Sequence, residues 1–177
     1  MKHVLVALLE DRPGVLQRVV NLFSRRAFNI DTLTVGHTEQ PDISRLTLVV
    51  DSTATDIEQV VKQLYKIINV LKVSDVTHDP TVLRELALIK VTATRQTRSE
   101  IVQIVSMFRG HIVDVAADSL IVEVTGTEDK IDALVNLLRG FGIKEMVRTG
   151  PVAMVRGQSG VTTFGEETRP RLRAAGE

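Results

Sequence analysis

The chain has 177 residues, 22 basic and 22 acidic side chains, and 44% hydrophobic residues, a composition typical of a globular protein with a buried core. The formal net charge of zero and the 3% aromatic content argue against nucleic-acid binding, which relies on a positive field and on rings that stack with bases. The absence of cysteine excludes disulfides, iron–sulfur clusters and thiol catalysis, and fits a cytoplasmic protein.

The amino-terminal apolar run, Val4 to Leu9, is too short for the hydrophobic region of a signal peptide. Glu10 and Asp11 follow it, where a cleavage site would need small residues. No apolar run in the sequence approaches the roughly 18 residues needed to cross a bilayer. We therefore expect a soluble, cytoplasmic protein that does not enter a membrane.

The first half of the chain predicts the order strand, helix, strand, strand, helix, strand, which is the ferredoxin-like arrangement. We place strands over residues 4–9, 30–35, 43–50 and 70–76. A first helix follows Gly14, and a second begins near Asp56, which with Thr55 forms a polar N-cap. The apolar residues at helical spacing are Val15, Leu16, Val19, Val20 and Phe23 in the first helix, and Ile57, Val60, Val61, Leu64 and Ile68 in the second.

The second half repeats the pattern after a pause at Asp79-Pro80. We place strands over 86–93, 112–115, 120–124 and 143–147, and helices over 100–108 and 129–138. Val19–Phe23 and Ile104–Phe108 occupy matching places about 85 residues apart, which indicates a tandem repeat. The predicted fold is α+β, with two tandem ferredoxin-like βαββαβ units. The predicted segments are a first domain over 1–78, a linker over 79–85, a second domain over 86–156 and a flexible tail over 157–177.

The turn between the first strand and the first helix is the candidate functional site. The first backbone amides of a helix are unpaired and lie at its positive end, so they suit a carboxylate such as that of a free amino acid. Gly14 allows close approach to the backbone, Pro13 presets the turn, and Asp11 can offset an ammonium charge. No nucleophile–base pair accompanies these residues, and the four histidines have no metal-ligand spacing. The pattern favours a sensor's pocket over a catalytic centre.

The corresponding turn of the second unit, Thr94 to Ser99, contains neither glycine nor proline. We therefore expect no such pocket there and a different role for the second domain, such as contact with a partner protein. Four arginines on or near the first helix admit two interpretations, a solvated face or a contact for an acidic partner: Arg12, Arg18, Arg25 and Arg26. The tail after Gly157 is expected to be unstructured, with a basic docking segment as the alternative.

The first strand is apolar on both faces, which predicts that both faces are covered. In a ferredoxin-like unit the two helices cover only one face of the sheet. The second domain of the same chain or a second subunit must then cover the other face or pair with an edge strand. Of these two possibilities we favour a homodimer.

Several segments resemble the small, or regulatory, subunit of acetolactate synthase (acetohydroxyacid synthase), whose first half is an ACT domain. The turn Asp11 to Leu16 is shared by many ACT domains, whereas the other segments are more specific. The resemblance spans residues 2–156 with both domains in the family's order. The more specific segments are Phe23-Ser24-Arg25-Arg26, Asn29-Ile30, Leu33-Thr34-Val35, Ser44-Arg45-Leu46-Thr47, Phe108-Arg109-Gly110, Ile112-Val113-Asp114-Val115 and Gly126-Thr127.

The resemblance implies a non-catalytic subunit that associates with a thiamine-diphosphate-dependent large subunit, raises its activity and mediates feedback inhibition by a branched-chain amino acid, usually valine. In that family the effector lies between two ACT domains of a dimer, on the turn after the first strand. The implied effector-binding residues are Asp11, Pro13, Gly14, Val15, Leu16, Asn29 and Ile30, with the amides of Gly14, Val15 and Leu16 on the carboxylate. No catalytic residue, metal or cofactor is expected in this chain.

Two positions depart from the family pattern, which usually has asparagine at Asp11 and glycine at Ala27. A glycine after the first helix would adopt a left-handed conformation more cheaply than alanine, by about 1 kcal/mol. The alternative hypotheses are an ACT-type amino-acid sensor that regulates a different enzyme and one that regulates transcription.

Overall fold

The structure, a computed structural model, describes residues 1–51 and 56–157. Thr55 and the predicted tail beyond Gly157 lie outside the described residues. The elements are β1 (Lys2–Glu10), α1 (Val15–Arg26), β2 (Ile30–His37), β3 (Ile43–Asp51), α2 (Ile57–Leu64), β4 (Val70–Asp75), β5 (Thr81–Thr92), α3 (Arg98–Met107), β6 (His111–Val115), β7 (Ser119–Gly126), α4 (Glu128–Leu138), a 3-10 turn (Arg139–Phe141), β8 (Ile143–Arg148) and β9 (Val152–Val155).

The chain divides into two compact units, each with its own sheet. The first unit contains residues 1–82 and includes the chain again from Ala153, and the second contains residues 83–152. The sheet of β1 to β4 has the order β2-β3-β1-β4, and that of β5 to β8 has the order β6-β7-β5-β8, with β9 also paired to β5. Both sheets are antiparallel in the pairs that contain β1 or β5. The predicted α+β fold with two βαββαβ units is confirmed.

The core of the first unit lies between its sheet and the two helices. Val15, Val19 and Phe23 of α1 are buried there, as the helical spacing predicts. Leu5, Ala7 and Leu9 of β1 belong to the same cluster. Val6 and Leu8, which alternate with them, are also fully buried, so β1 is buried on both faces.

The second unit has one buried face along β5. Burial alternates residue by residue there, with Ala87, Ile89 and Val91 in the core. All four predicted inward residues of α4 are buried: Ile131, Leu134, Val135 and Leu138. The half-exposed Arg148 pairs with the buried carboxylate of Glu85 and donates to Asp132 at 2.6 Å.

Three sequence expectations about local structure are wrong. Strand β5 begins at Thr81, five residues before the predicted start, because it pairs beyond the region of clear alternation. Helix α2 ends at Leu64, so the helical period does not reach Ile68, which is 81% exposed, and Ile67 is buried instead. Strand β9 was not predicted; its carbonyl at Ala153 accepts a 2.6 Å hydrogen bond from the guanidinium of Arg45.

Helices α1 and α3 end in the same way. Ala27 has φ 52° and Arg109 has φ 53°, both left-handed, and each follows the last turn of its helix. The amide of Phe28 donates to the Phe23 carbonyl at 3.1 Å, and the amide of Gly110 donates to the Val105 carbonyl at 2.9 Å. These six-residue closures are Schellman motifs, in which glycine is the usual left-handed residue.

A tyrosine joins the end of α2 to β4. The hydroxyl of Tyr65 donates to the Val73 carbonyl at 3.0 Å and accepts from the Val73 amide at 3.1 Å. The side chain also packs against the core of the first unit. Tyr65 therefore belongs to the folded structure of the first unit.

Candidate effector-binding turn

Helix α1 begins at a glycine that no side chain caps. Gly14 is the N-cap residue, with φ 83° and ψ −7°, a left-handed conformation that glycine adopts at low cost. A Cβ built on Gly14 would meet nothing within 4 Å, so the space beside the backbone is open. The first turn of α1 contains no acidic residue. The positive end of the helix is thus left without a compensating charge from its own first turn.

The amides at this end are only partly used. The Val15 amide donates to the Arg12 carbonyl at 3.3 Å, and the Arg18 amide donates to the Gly14 carbonyl at 3.1 Å. Within the described residues, no hydrogen-bond partner is found for the amides of Gly14, Leu16 and Gln17. Three donors are therefore available to an anion at the open side of the turn.

This arrangement revises the predicted set of donors. Val15 contributes little to an open pocket, because its amide already has an acceptor and its side chain is buried in the core. Leu16, expected to face inward, is 41% exposed at the start of the helix. Gln17 was not among the predicted donors. Its amide is the third one counted from Val15, where α1 begins, so the rule for free amides at a helix start includes it.

Asp11 is held at the turn by its backbone and by a histidine. Its amide donates to the Asp42 carbonyl at 2.7 Å, which ties the turn to the loop between β2 and β3. Its carboxylate lies 3.2 Å from Nδ1 of His37, at the end of β2. Both side chains are substantially exposed, so the pair remains open to a ligand.

A polar network braces the turn from the side of α2 and β4. The buried Asn69 donates to the Glu10 carboxylate at 2.9 Å and accepts from the guanidinium of Arg18. Arg12 pairs with the same Glu10 carboxylate at 3.2 Å. These bonds fix the end of β1 and the first turns of α1 relative to each other. Asn69 carries no local sequence signal for this role, because the contact spans 59 residues.

Asn29 and Ile30 do not meet the turn within one chain. The register pairs Ile30 with Val50, near the start of β1, whereas His37 pairs with Ser44 near its end. The seven steps along β2 between Ile30 and His37 correspond to roughly 23 Å. Asn29 instead donates to the Asp31 carboxylate at 3.2 Å. The predicted effector-binding residues thus form two groups at opposite ends of the sheet.

The equivalent turn of the second unit is closed by its own side chains. The Thr94 amide donates to the Thr97 hydroxyl at 3.0 Å, and the Thr97 amide donates to the Thr94 hydroxyl at 3.2 Å. Thr97 is the N-cap residue of α3, so this pair satisfies the N-cap amide, whose counterpart at Gly14 has no partner among the described residues. The Ser99 and Glu100 amides, like those of Leu16 and Gln17, have no partner there. Glu100 in the first turn of α3 adds a negative charge that the first turn of α1 lacks, which disfavours a carboxylate at this helix start. The lack of a pocket in the second unit stays a prediction.

The residues that the structure describes contain neither a candidate metal site nor a candidate membrane-spanning helix. No group of three or more histidine, aspartate or glutamate side chains there has the arrangement of a metal site. No helix among residues 1–51 and 56–157 is long and apolar enough to span a membrane.

Comparisons with known proteins identify the family of both units. Residues 5–72 match the family described as the AHAS small subunit-like ACT domain, and residues 84–157 match the family described as the small subunit of acetolactate synthase. The probable acetolactate synthase small subunit of Archaeoglobus fulgidus is 55% identical over 157 residues, covering 89% of this chain and 98% of that protein. The acetolactate synthase small subunit of Bacillus subtilis is 49% identical over 158 residues, covering 89% and 92% respectively.

A solved structure shows the same architecture. The acetolactate synthase small subunit from Thermotoga maritima superposes with a TM-score of 0.82 at 42% identity, covering 90% of this chain and 99% of that one. Two ferredoxin-like units, the first an ACT domain with an open, glycine-capped helix, define the class of protein. The chain belongs to the acetolactate synthase small-subunit family.

Proposed function

We propose that this chain is the regulatory, non-catalytic subunit of acetolactate synthase, and that its first unit binds a branched-chain amino acid, with valine as the first candidate. The observation that carries the proposal is the set of open amides at the glycine-capped start of α1, in a chain whose relatives are named as small subunits of that enzyme. The protein would act in the cytoplasm, on the thiamine-diphosphate-dependent large subunit.

The turn offers complementary groups for each part of an amino acid. The amides of Gly14, Leu16 and Gln17 would donate hydrogen bonds to the carboxylate at the positive end of α1. The carboxylate of Asp11 would face the ammonium group, in competition with His37. The exposed side chain of Leu16 provides an apolar contact for a branched aliphatic side chain. A neutral amino acid with an apolar side chain fits these three features together.

The separation of Asn29 and Ile30 from the turn supports a homodimer through the ACT domain. Strand β2 is an edge strand, so one side of its backbone is free to pair. If two copies pair antiparallel at β2 about a two-fold axis, the start of one β2 lies beside the end of the other. The partner subunit's Asn29 and the partner subunit's Ile30 would then lie near the turn at Gly14. One effector site would thus be shared by two chains.

A shared site provides a physical route from effector to enzyme. A ligand held by both chains favours one arrangement of the dimer over others by its differential affinity for them. The large subunit would be activated by association with the dimer and restrained when the effector stabilises the less activating arrangement. Feedback inhibition then requires no catalytic group in this chain.

Calorimetric titration of the purified chain with valine, leucine and isoleucine tests the site. Gly14→Asn is the sharpest variant, because asparagine tolerates a left-handed backbone and its side chain fills the open space beside the amides. Gly157→Asn is the matched control, since Gly157 has φ 80° and nothing within 4 Å of a built Cβ. We expect saturable binding of one amino acid, its loss in the first variant, and no change in the control.

The same variants separate the site from the regulatory role when the large subunit is present. Gly14→Asn should still activate the large subunit but should no longer respond to the effector. Inhibition that persists unchanged in Gly14→Asn would contradict the site assignment. An unmodified chain that neither binds nor activates the large subunit would contradict the regulatory role itself.

A further inference from the structure

The second unit contains a cationic pocket that the proposed effector site does not use. It lies where β7 leads into α4 and has a volume of about 600 Å³. Three cationic side chains line it, from Arg84, Arg109 and Lys130. No acidic residue of the described part of the chain is among its lining residues. The volume falls within the range of about 300–1,000 Å³ seen for ligand pockets in proteins.

Two of the segments that carry the family resemblance meet in this pocket. Phe108-Arg109 comes from the end of α3, and Gly126-Thr127 comes from the end of β7. A Cβ on Gly126 would lie 2.5 Å from Cδ of Lys130, so glycine allows the lysine side chain to cross the strand end. Lys130 then donates to the Thr125 carbonyl at 2.8 Å, a neutral acceptor that leaves its charge uncompensated. Gly126 and Lys130 together therefore hold a positive charge at the end of β7.

Arg109 occupies its position at a backbone cost. It has φ 53° at the left-handed position after α3, where glycine is favoured and where the first unit has the small Ala27. Strained residues of this kind concentrate at functional sites. Within the described residues, no acidic partner is found for Arg109 or Arg84. A long cationic side chain at this position is better explained by an external anion than by the fold.

The residues around the three cations indicate which kind of anion the pocket would bind. Met107 is 78% exposed and lies next to the half-buried Phe108, so an apolar surface adjoins the cations. Methionine, aromatic residues and arginine are enriched in protein interfaces. The first turn of α4 carries Glu128 and Asp129, which disfavour a doubly charged phosphate at that helix start. A protein segment with a carboxylate and an apolar side chain fits better.

We infer that this pocket is the docking point for an acidic segment of the acetolactate synthase large subunit. A carboxylate of that segment lies among Arg84, Arg109 and Lys130, and a neighbouring apolar side chain packs on Met107. The inference rests on the proposed function, since it names the surface through which the regulatory subunit reaches its enzyme. Under this inference the second unit associates with the large subunit and the first unit binds the effector.

The test is a titration of the large subunit from the same organism with this chain, at low and moderate salt, followed by its enzymatic activation. Arg109→Glu reverses the charge, and Arg109→Gly removes the side chain while relieving the left-handed backbone, so it should fold at least as stably. Arg95→Glu is the matched control, an exposed arginine of the second unit outside the pocket. Calorimetry with the amino-acid effector is run on every variant.

We expect the half-activating concentration to rise about tenfold or more in Arg109→Glu and severalfold in Arg109→Gly, as for charge pairs at interfaces. The salt dependence of association should become shallower in both variants, while Arg95→Glu and effector binding stay unchanged. Unaltered association of both Arg109 variants with a large subunit that the unmodified chain activates would overturn the inference and leave the proposed function intact.

The remaining possibility is that the pocket binds a small anion, and titration with inorganic phosphate tests it. Saturable binding of phosphate to the isolated chain, lost in Arg109→Gly while association with the large subunit is retained, would replace the acidic segment by a small anionic ligand. If the unmodified chain does not associate with the large subunit at all, the proposed function and this inference both fail. Weaker association of both variants together with unchanged effector binding supports the inference.

Discussion

The turns that open the first helix of each unit have the same place in the fold but opposite chemistry. In the first unit Gly14 caps α1 without a side chain, and three amides near the turn have no partner among the described residues. In the second unit the amide of Thr97, the N-cap residue of α3, donates to the Thr94 hydroxyl, and Glu100 lies in the first turn. The start of α1 is thus open and has no acidic residue, whereas the start of α3 has a bonded N-cap amide and a carboxylate in its first turn.

The difference shows how a duplicated fold can acquire two roles without a change of architecture. Glycine at an N-cap is less stabilising than a capping side chain by only a few tenths of a kcal/mol, so the open turn of α1 is a small stability cost. A ligand carboxylate can take the place of the missing cap and recover that cost when it binds. If an effector binds there, as proposed, its occupancy would be coupled to the stability of α1.

The largest expected effect is a loss of stability in the second unit that leaves effector affinity unchanged. Burial lowers the pKa of Arg148, but hydrogen bonds to Glu85 and Asp132 raise it by more, so it stays charged. Arg148→Met strands the buried Glu85 carboxylate and should lower the free energy of unfolding of the second unit by about 3 kcal/mol. Denaturant unfolding measures this loss, and effector affinity should not change.

Asp132→Asn is the matched control for that experiment, because Asp132 is half exposed and its loss leaves no buried charge. We expect it to cost less than about 1 kcal/mol. Equal losses for both variants would show that the buried carboxylate is not the source of the effect.

Asp75 offers a pH test at the end of the first unit's sheet far from the open turn. Burial raises the pKa of Asp75. Hydrogen bonds from the hydroxyl and amide of Thr77 and from His3 lower it by a larger amount, so the net pKa lies below the ordinary value. A depressed pKa stabilises the fold above the unfolded value of about 4, and this contribution is lost as the pH falls through the folded value.

Asp75→Asn should therefore cost about 1 kcal/mol at pH 7, and the difference from the unmodified chain should shrink toward pH 3. Unfolding at both pH values measures it. Asp79→Asn, at an exposed carboxylate nearby, should show no such dependence. A constant cost for Asp75→Asn at every pH would exclude ionisation as the cause.

The reciprocal bonds between Thr94 and Thr97 should stabilise the turn that precedes α3. Thr94→Ala breaks the reciprocal pair with Thr97 and should lower the free energy of unfolding by about 1 kcal/mol. Thr94→Ser keeps the hydroxyl that bonds to Thr97 and should cost less. Equal losses in thermal or denaturant unfolding would show that the hydroxyl bonds are not what stabilises this turn.

The smallest expected effect concerns the other end of α1. Ala27 has φ 52°, so Ala27→Gly should stabilise the first unit by up to about 1 kcal/mol. Denaturant unfolding measures the gain. Ala93→Gly, at a buried position of the second unit, is a contrasting control that should destabilise. A loss of stability in Ala27→Gly would show that alanine packs too well at this position to be replaced.

The fold was predictable because hydrophobic periodicity is a local signal. Residues such as Val19 and Phe23 of α1, or Ile131 and Leu134 of α4, show their inward face through spacing alone. Strand β9 could not be found in this way. Its four residues show no alternation of polar and apolar residues, and its contact with Arg45 joins positions 108 residues apart.

The candidate site was predictable in its position but not in its donors. The sequence placed a glycine turn at the start of a helix, and the left-handed Gly14 confirms the conformation that the sequence requires. Which amides remain free depends on the Arg12 carbonyl, which accepts from Val15 and excludes it from the pocket. The bracing by Asn69 depends on chain pairing 59 residues away, which no local pattern encodes.

The position of Tyr65 has a practical consequence for all of these measurements. The chain contains one tyrosine and no tryptophan, so Tyr65 alone accounts for its intrinsic emission near 300 nm. Its hydroxyl is bonded on both sides to the backbone of Val73, bonds that unfolding of the first unit breaks. Tyrosine emission is therefore a built-in spectroscopic reporter of one unit, while circular dichroism follows the helices of both. Recording the two signals on one sample separates the melting of the first unit from that of the second.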